Sequence, residues 1–216
     1  MSSAQLYRLS GFALLASGVL SIVGYGIGSF QSDTSVSTIT SAPYIAMSLL
    51  TFLGAALCVL GLPGMIARQA ERAGVLGLIG GVAVILVQVI FGIGNGFVDV
   101  TVFPALVADP STRAFALVGP PPAMNIFFMV GVALGVIGAL ALGIATLRAR
   151  VFARWIGVLF LLTVLAEVPS FLDMPFLSNL APLVSSVAVL GVGIALMSAK
   201  HTPVGEPARA VAATAI

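Results

Sequence analysis

Charge is what this chain has least of. Only 7% of its 216 residues are Asp, Glu, Lys or Arg, whereas 60% are apolar and the mean hydropathy is +1.20. An ordinary soluble domain is about a quarter charged, so no water-facing surface can be assembled from this composition. The chain has one cysteine, Cys58, which excludes an intrachain disulfide and a cysteine-based metal site. One histidine, His201, stands beside Lys200 outside every apolar block, and a lone histidine there is no metal ligand set. No glycine-rich loop follows a strand pattern, so no nucleotide fold is encoded, and no cofactor motif is read. The net charge of +2 does not point to nucleic acid, because the basic residues sit at the ends of apolar blocks.

What is present is long apolar sequence. Blocks of about 18 or more uncharged apolar residues read as transmembrane helices. Six can be drawn, near residues 8–30, 43–67, 74–99, 122–147, 154–171 and 175–199. The fold class is therefore an all-α integral membrane protein, with one six-helix domain over residues 1–200 and a mobile tail over 201–216. The first block is longer than a signal-peptide core and lacks a small-x-small cleavage site, so it reads as a retained span. Arg8, Arg68, Arg72, Arg148, Arg150, Arg154, Lys200 and Arg209 fall on one side of a six-span topology, while Asp33, Asp99, Asp109 and Asp173 fall on the other with Arg113 alone. The positive-inside rule then places both termini in the cytoplasm of a cell membrane.

The external connections differ in character. Residues 31–42 read as a solvated Ser/Thr-rich loop, whereas residues 100–121 are half apolar and should hold a short helix, with Asp109 as an N-cap before Pro110. Trp155, Tyr7 and Tyr44 suit the aromatic belts. Pro182, well inside the sixth block, should kink that span or free a carbonyl.

The blocks also resemble one another. Residues 61–68 (GLPGMIAR), 143–150 (GIATLRAR) and 193–200 (GIALMSAK) share a Gly, a Met or Leu, an Ala and a terminal base, and Tyr25-Gly-Ile-Gly matches Phe91-Gly-Ile-Gly. One reading is three related hairpins; the other is that Gly, Ala and Leu are common enough here for chance matches. Repeat-built membrane proteins often carry their site at the repeat interface.

Few polar groups lie inside the blocks. On the third, Gly77, Gly81, Gln88, Gly92, Asn95 and Asp99 fall within about 60° of one another at 100° per residue. The pairs Gly24/Gly28, Gly77/Gly81, Gly92/Gly96 and Gly131/Gly135 read as close helix contacts, within the chain or toward a second copy or another membrane protein. Glu167 is the only acid or base well inside a span, about 18 Å from the Trp155 boundary, with Gln88 and Ser21 at a similar depth. An ionisable group there is costly unless paired or wetted, so Glu167, Gln88 and Ser21 form a candidate ligand or ion layer. Pro169 could instead end that helix early and leave Glu167 in the interface. Asn95, Asp99 and Asn125 form a second polar group near the outer ends, for which capping and interfacial solvation are the simpler roles. Cys58 reads as a small packing residue rather than a nucleophile.

With a single intramembrane acid, no catalytic residue is assigned and an enzyme is disfavoured. A lipid-modifying enzyme using Asp99, Asp109 and Arg113 is the weakest of three readings. A non-catalytic structural, sensory or regulatory membrane protein comes first from the scarcity of polar groups. A small transporter or ligand-binding bundle with a polar layer at Glu167 and Gln88 comes next. A cavity touching Glu167 separates the last two.

Overall fold

The computed structural model describes the backbone of residues 3–31, 35–117, 122–167 and 179–198, which are helical with short connections and, among the described residues, contain no strand. The tail over 201–216, Asp33, Pro169 and Asp173 lie outside the described residues. In chain order the helices are α1 (Ser3–Gly28), α2 (Val36–Ile39), α3 (Ala42–Val87), α4 (Phe103–Ala108), α5 (Pro110–Leu117), α6 (Pro122–Ala149), α7 (Arg154–Ala166) and α8 (Leu180–Ser198). Two π-helical stretches, Gln88–Asn95 and Val98–Val102, join α3 to α4. Over the described residues four helical stretches are long and apolar enough to cross a membrane, including the continuous run Ala42–Ala108.

That run is not one rod. Sixty-seven residues of straight helix would extend about 100 Å. The chain folds back at Gly74, the one non-helical residue within α3, with φ 59° and ψ −153°. Only glycine enters that backbone region at little cost. The arms then run antiparallel in a constant register, since a Cβ on Gly81 would overlap Ile66, one on Gly92 would lie 2.5 Å from Ala55 Cβ, and one on Gly96 would lie 2.9 Å from Phe52 Cβ. Residues 68–73, drawn as a loop from the sequence, are helical, and the turn contracts to one residue.

The same logic closes a ring. Gly54, Gly61 and Gly64 of the first α3 arm face Ser21, Leu14 and Ser10 of α1. Gly80 and Gly138 bring the second α3 arm against α6, Gly143 and Gly157 join α6 to α7, Gly191 receives the Trp155 ring between α8 and α7, and Gly11, Gly18 and Gly193 join α8 back to α1. Six helical arms thus stand in chain order, each antiparallel to its neighbours. Packing of this closeness is the principal attraction available between helices in lipid. Leu60, Val75 and Ile126 point outward at 68%, 72% and 68% exposure, a surface suited to acyl chains and not to water.

The half of the ring bearing the arginines is densely filled by Leu14, Leu62, Met65, Leu142, Ile156 and Leu196, each at most 1% exposed. Gln69 and Thr146 are buried in this half and are joined by the Thr146 hydroxyl donating to Gln69 Oε1 at 3.3 Å. The Gln69 amide nitrogen is buried with no partner among the described residues.

The connections at the other end correct the sequence reading. Ser35 caps the single turn of α2 and Ile39 is buried beneath it, so residues 31–42 are more than a solvated loop. Residues 100–117 form two short helices continuous with the third arm. Asp109 caps α5 as the sequence indicates, accepting from the Ser111 amide at 2.8 Å, while Arg113 Nε donates to the Val107 carbonyl at 2.9 Å and thereby closes α4. Pro182 makes no interior kink. It sits in the first turn of the described α8, where the missing N–H would have no helical partner, and its carbonyl accepts from the Ser185 and Ser186 hydroxyls at 3.0 and 2.6 Å.

Candidate functional site

The ring is hollow in the half away from the arginines. A cavity of about 390 Å³ is lined from all six arms: Tyr25 on α1, Cys58 on the first α3 arm, Gln88, Phe91 and Asn95 on the second, Gly135 on α6, Thr163 and Glu167 on α7, and Pro182 and Ser185 on α8. A volume of that size lies within the range of small-molecule sites, about 300–1,000 Å³.

Local structure opens this space. Gln88 starts the π-helical stretch, and Gln88, Phe91, Gly92 and Asn95, all within it, line the cavity. A π-turn is wider than an α-turn and shifts the side chains that follow it around the axis, and such turns recur at functional sites. The Phe91 ring lies in the notch of Gly131, where any Cβ would overlap it, and stacks with Phe127 and Phe128 at centroid distances of 5.1 and 5.8 Å. Gly135 is one turn along, and its nearest neighbour would be Val87 at 4.0 Å, so the glycine pair has one close and one open member.

Glu167 is the residue that ends α7. Its amide bonds to the Thr163 and Val164 carbonyls at 3.1 and 3.3 Å, which holds the residue at the helix end. Its carboxylate has no hydrogen-bond or ion-pair partner among the described residues. The surrounding wall supplies neutral polar groups: the Gln88 and Asn95 amides, the Tyr25 phenol, the Thr163 and Ser185 hydroxyls. The Thr163 hydroxyl donates to the Leu159 carbonyl at 3.0 Å, leaving oxygen lone pairs available. One carboxylate among oxygen and amide dipoles suits a proton, a small cation or a protonated amine. Among the described residues no three His, Cys, Asp or Glu side chains come together as a metal site.

The sequence-derived residues thus separate. Glu167 and Gln88 share the cavity wall. Ser21 does not line it; it lies in the α1–α3 seam, where a Cβ on Gly54 would overlap its hydroxyl, and nearby Ser17 donates to the Gly54 carbonyl at 2.7 Å. The outer group divides as well: Asn95 faces the cavity, whereas Asp99 accepts from the Tyr44 hydroxyl at 3.4 Å and ties the π-helical segment to the start of α3. The side chain of Asn125 lies outside the described residues. Gly24, Gly28, Gly77, Gly81, Gly92, Gly96 and Gly131 are all used in contacts within the chain. Tyr25, Thr163 and Ser185 were not singled out from the sequence. The Tyr25-Gly-Ile-Gly and Phe91-Gly-Ile-Gly match was the available signal, since both aromatic residues stand in the cavity wall. Comparison with family models, curated proteins and solved structures finds no match to the chain.

Proposed function

We propose that the chain is a six-span membrane protein with both termini cytoplasmic, and that its central cavity binds and passes a small cationic ligand or proton with Glu167 as the charged contact. The observation that carries this is the cavity itself, lined from all six arms and, among the described residues, holding a single carboxylate, Glu167. The topology rests on six antiparallel arms and on a sequence in which eight of nine basic residues fall on one side of six spans. The reading of a non-catalytic assembly subunit asks for a filled core and an exposed small-residue face; against it, seven of the eight paired glycines, all but Gly135, make close contacts within the chain. The three-hairpin repeat draws support from Tyr25 and Phe91, matched in sequence and both in the cavity wall.

The test is electrogenic flux in proteoliposomes after a jump in pH, Na⁺ or tetramethylammonium. Glu167→Gln keeps the shape of the side chain and removes its charge, so it should lower the current at least tenfold while the protein elutes and melts as before. A Glu167→Gln protein that carries the same current with the same pH profile as the parent would sink the proposal.

A further inference from the structure

A second polar pocket lies at the opposite end of the ring, independent of the central cavity. It encloses about 450 Å³ and is lined by Tyr7 of α1, Arg68, Glu71 and Arg72 at the end of the first α3 arm, and Arg150 with Val151 in the α6–α7 connection. Topology alone requires bases at this end but not their convergence; Arg148 and Arg154 do not line the pocket, whereas Arg68, Arg72 and Arg150 do. Three guanidiniums against one carboxylate leave the lining two positive charges in excess. Among the described residues none of the three is ion-paired, so the excess is not consumed internally.

Two features mark these arginines, a contact of one side chain and the backbone of another. The Arg68 guanidinium lies 5.4 Å from the centroid of the Tyr7 ring, a cation–π contact that fixes its position. Arg150 has φ 52°, the left-handed conformation that glycine normally supplies just after a helix ends. It is the only non-glycine residue with positive φ among the described residues. An L-residue there carries backbone strain, and retaining arginine where glycine would fit more easily points to a use for the side chain. Arginine presents paired N–H donors that match phosphate oxygens, and basic pockets between the cytoplasmic ends of membrane helices suit anionic headgroups.

We infer that Arg68, Arg72 and Arg150 form a binding site for a phosphate oxyanion, supplied by an anionic phospholipid headgroup or by a soluble phosphate ester. The test is thermal unfolding of the full chain in neutral detergent, with phosphatidylglycerol, inorganic phosphate, or sodium chloride at matched ionic strength. Phosphatidylglycerol or phosphate should raise the melting temperature by about 4 °C or more beyond chloride. Stabilisation by the lipid alone assigns the headgroup as the source, and stabilisation by phosphate assigns a soluble ester; either supports the site. The double variant R68Q/R72Q should lose the response, with affinity falling about tenfold per arginine. Arg150→Gly separates binding from structure: it should melt higher than the parent without ligand yet bind about tenfold more weakly. A shift no larger than that with chloride, or an equal shift in R68Q/R72Q, would overturn the inference.

Discussion

The two halves of the ring are built from the same residue types and have opposite characters. In the arginine-bearing half, glycines set backbone against backbone and leucines fill what remains. A Cβ on Gly80 would lie 2.5 Å from the Leu142 amide nitrogen, and one on Gly193 2.5 Å from that of Leu15. In the other half the third arm widens into π-helix; Gly92, Gly96 and Gly131 still pack closely, but Gly135 meets nothing closer than 4.0 Å and about 390 Å³ stays unfilled. Small residues therefore do not have one meaning in this protein. Where the partner is a backbone they make a rigid clamp; where it is a cavity they leave room for a ligand.

The sharpest contrast is between two glycines of the same seam. Gly80→Ala pushes a methyl group into a main chain that cannot move aside, and should lower stability by about 1–3 kcal/mol, read as a lower melting temperature in detergent. Gly135→Ala enters open space and should leave stability within about 0.5 kcal/mol of the parent. Equal losses would erase the distinction between a clamped half and an open one.

The buried polar pair offers the next largest effect. Thr146→Val leaves Gln69 Oε1 without its donor in a packed interior and should cost about 1–3 kcal/mol. The double change Gln69→Met with Thr146→Val removes the orphaned amide nitrogen as well and should be neutral or stabilising. Thermal melts of the three proteins decide it, and a double variant as unstable as Thr146→Val would show that the pair does more than occupy space.

Gly74→Ala probes the hinge that makes two arms of one helix. At φ 59° and ψ −153° the added Cβ meets no neighbour, so only backbone strain is felt, about 1–3 kcal/mol. The smallest effect is at the far end. Asp109 lies below the usual carboxylate range because the Ser111 amide and hydroxyl donate to it and Arg113 stands nearby. A depressed folded-state value means that the cap's contribution is present above the ordinary carboxylate pKa and fades as pH falls through the folded value. Protection factors for exchange in α5, taken against intrinsic rates at each pH, should therefore fall below about pH 4, and Asp109→Ala should show the lower protection at neutral pH.

Much of this was legible from apolar pattern and charge. Lipid-length helices announce themselves through uninterrupted hydropathy, Asp109 before Pro110 is a local signal needing no tertiary context, and Glu167 and Gln88, paired by counting along the helices, do line one cavity. Other features were hidden for physical reasons. Whether Gly80 clamps or Gly135 opens depends on which arm lies opposite, and both are simply glycines in apolar sequence. The π-turns at Gln88–Asn95 leave no mark, because α and π helices accept the same side chains. Ser21 has the depth of Gln88 but lies in the α1–α3 seam, and depth does not give azimuth. Arg68, Arg72 and Arg150 are explained one at a time by topology; only the fold brings them around one pocket.

Access of water and small cations to the hollow half is the claim on which the functional reading stands. It can be measured with a cationic methanethiosulfonate reagent on single-cysteine proteins in which Cys58 is replaced by serine. Thr163→Cys, on the cavity wall, should be modified in the folded protein, whereas Ile156→Cys, two turns away on the same helix and 1% exposed, should react only after unfolding in detergent. Modification of neither position in the folded protein would mean that the cavity is sealed and that the Glu167 layer is not a route for a ligand.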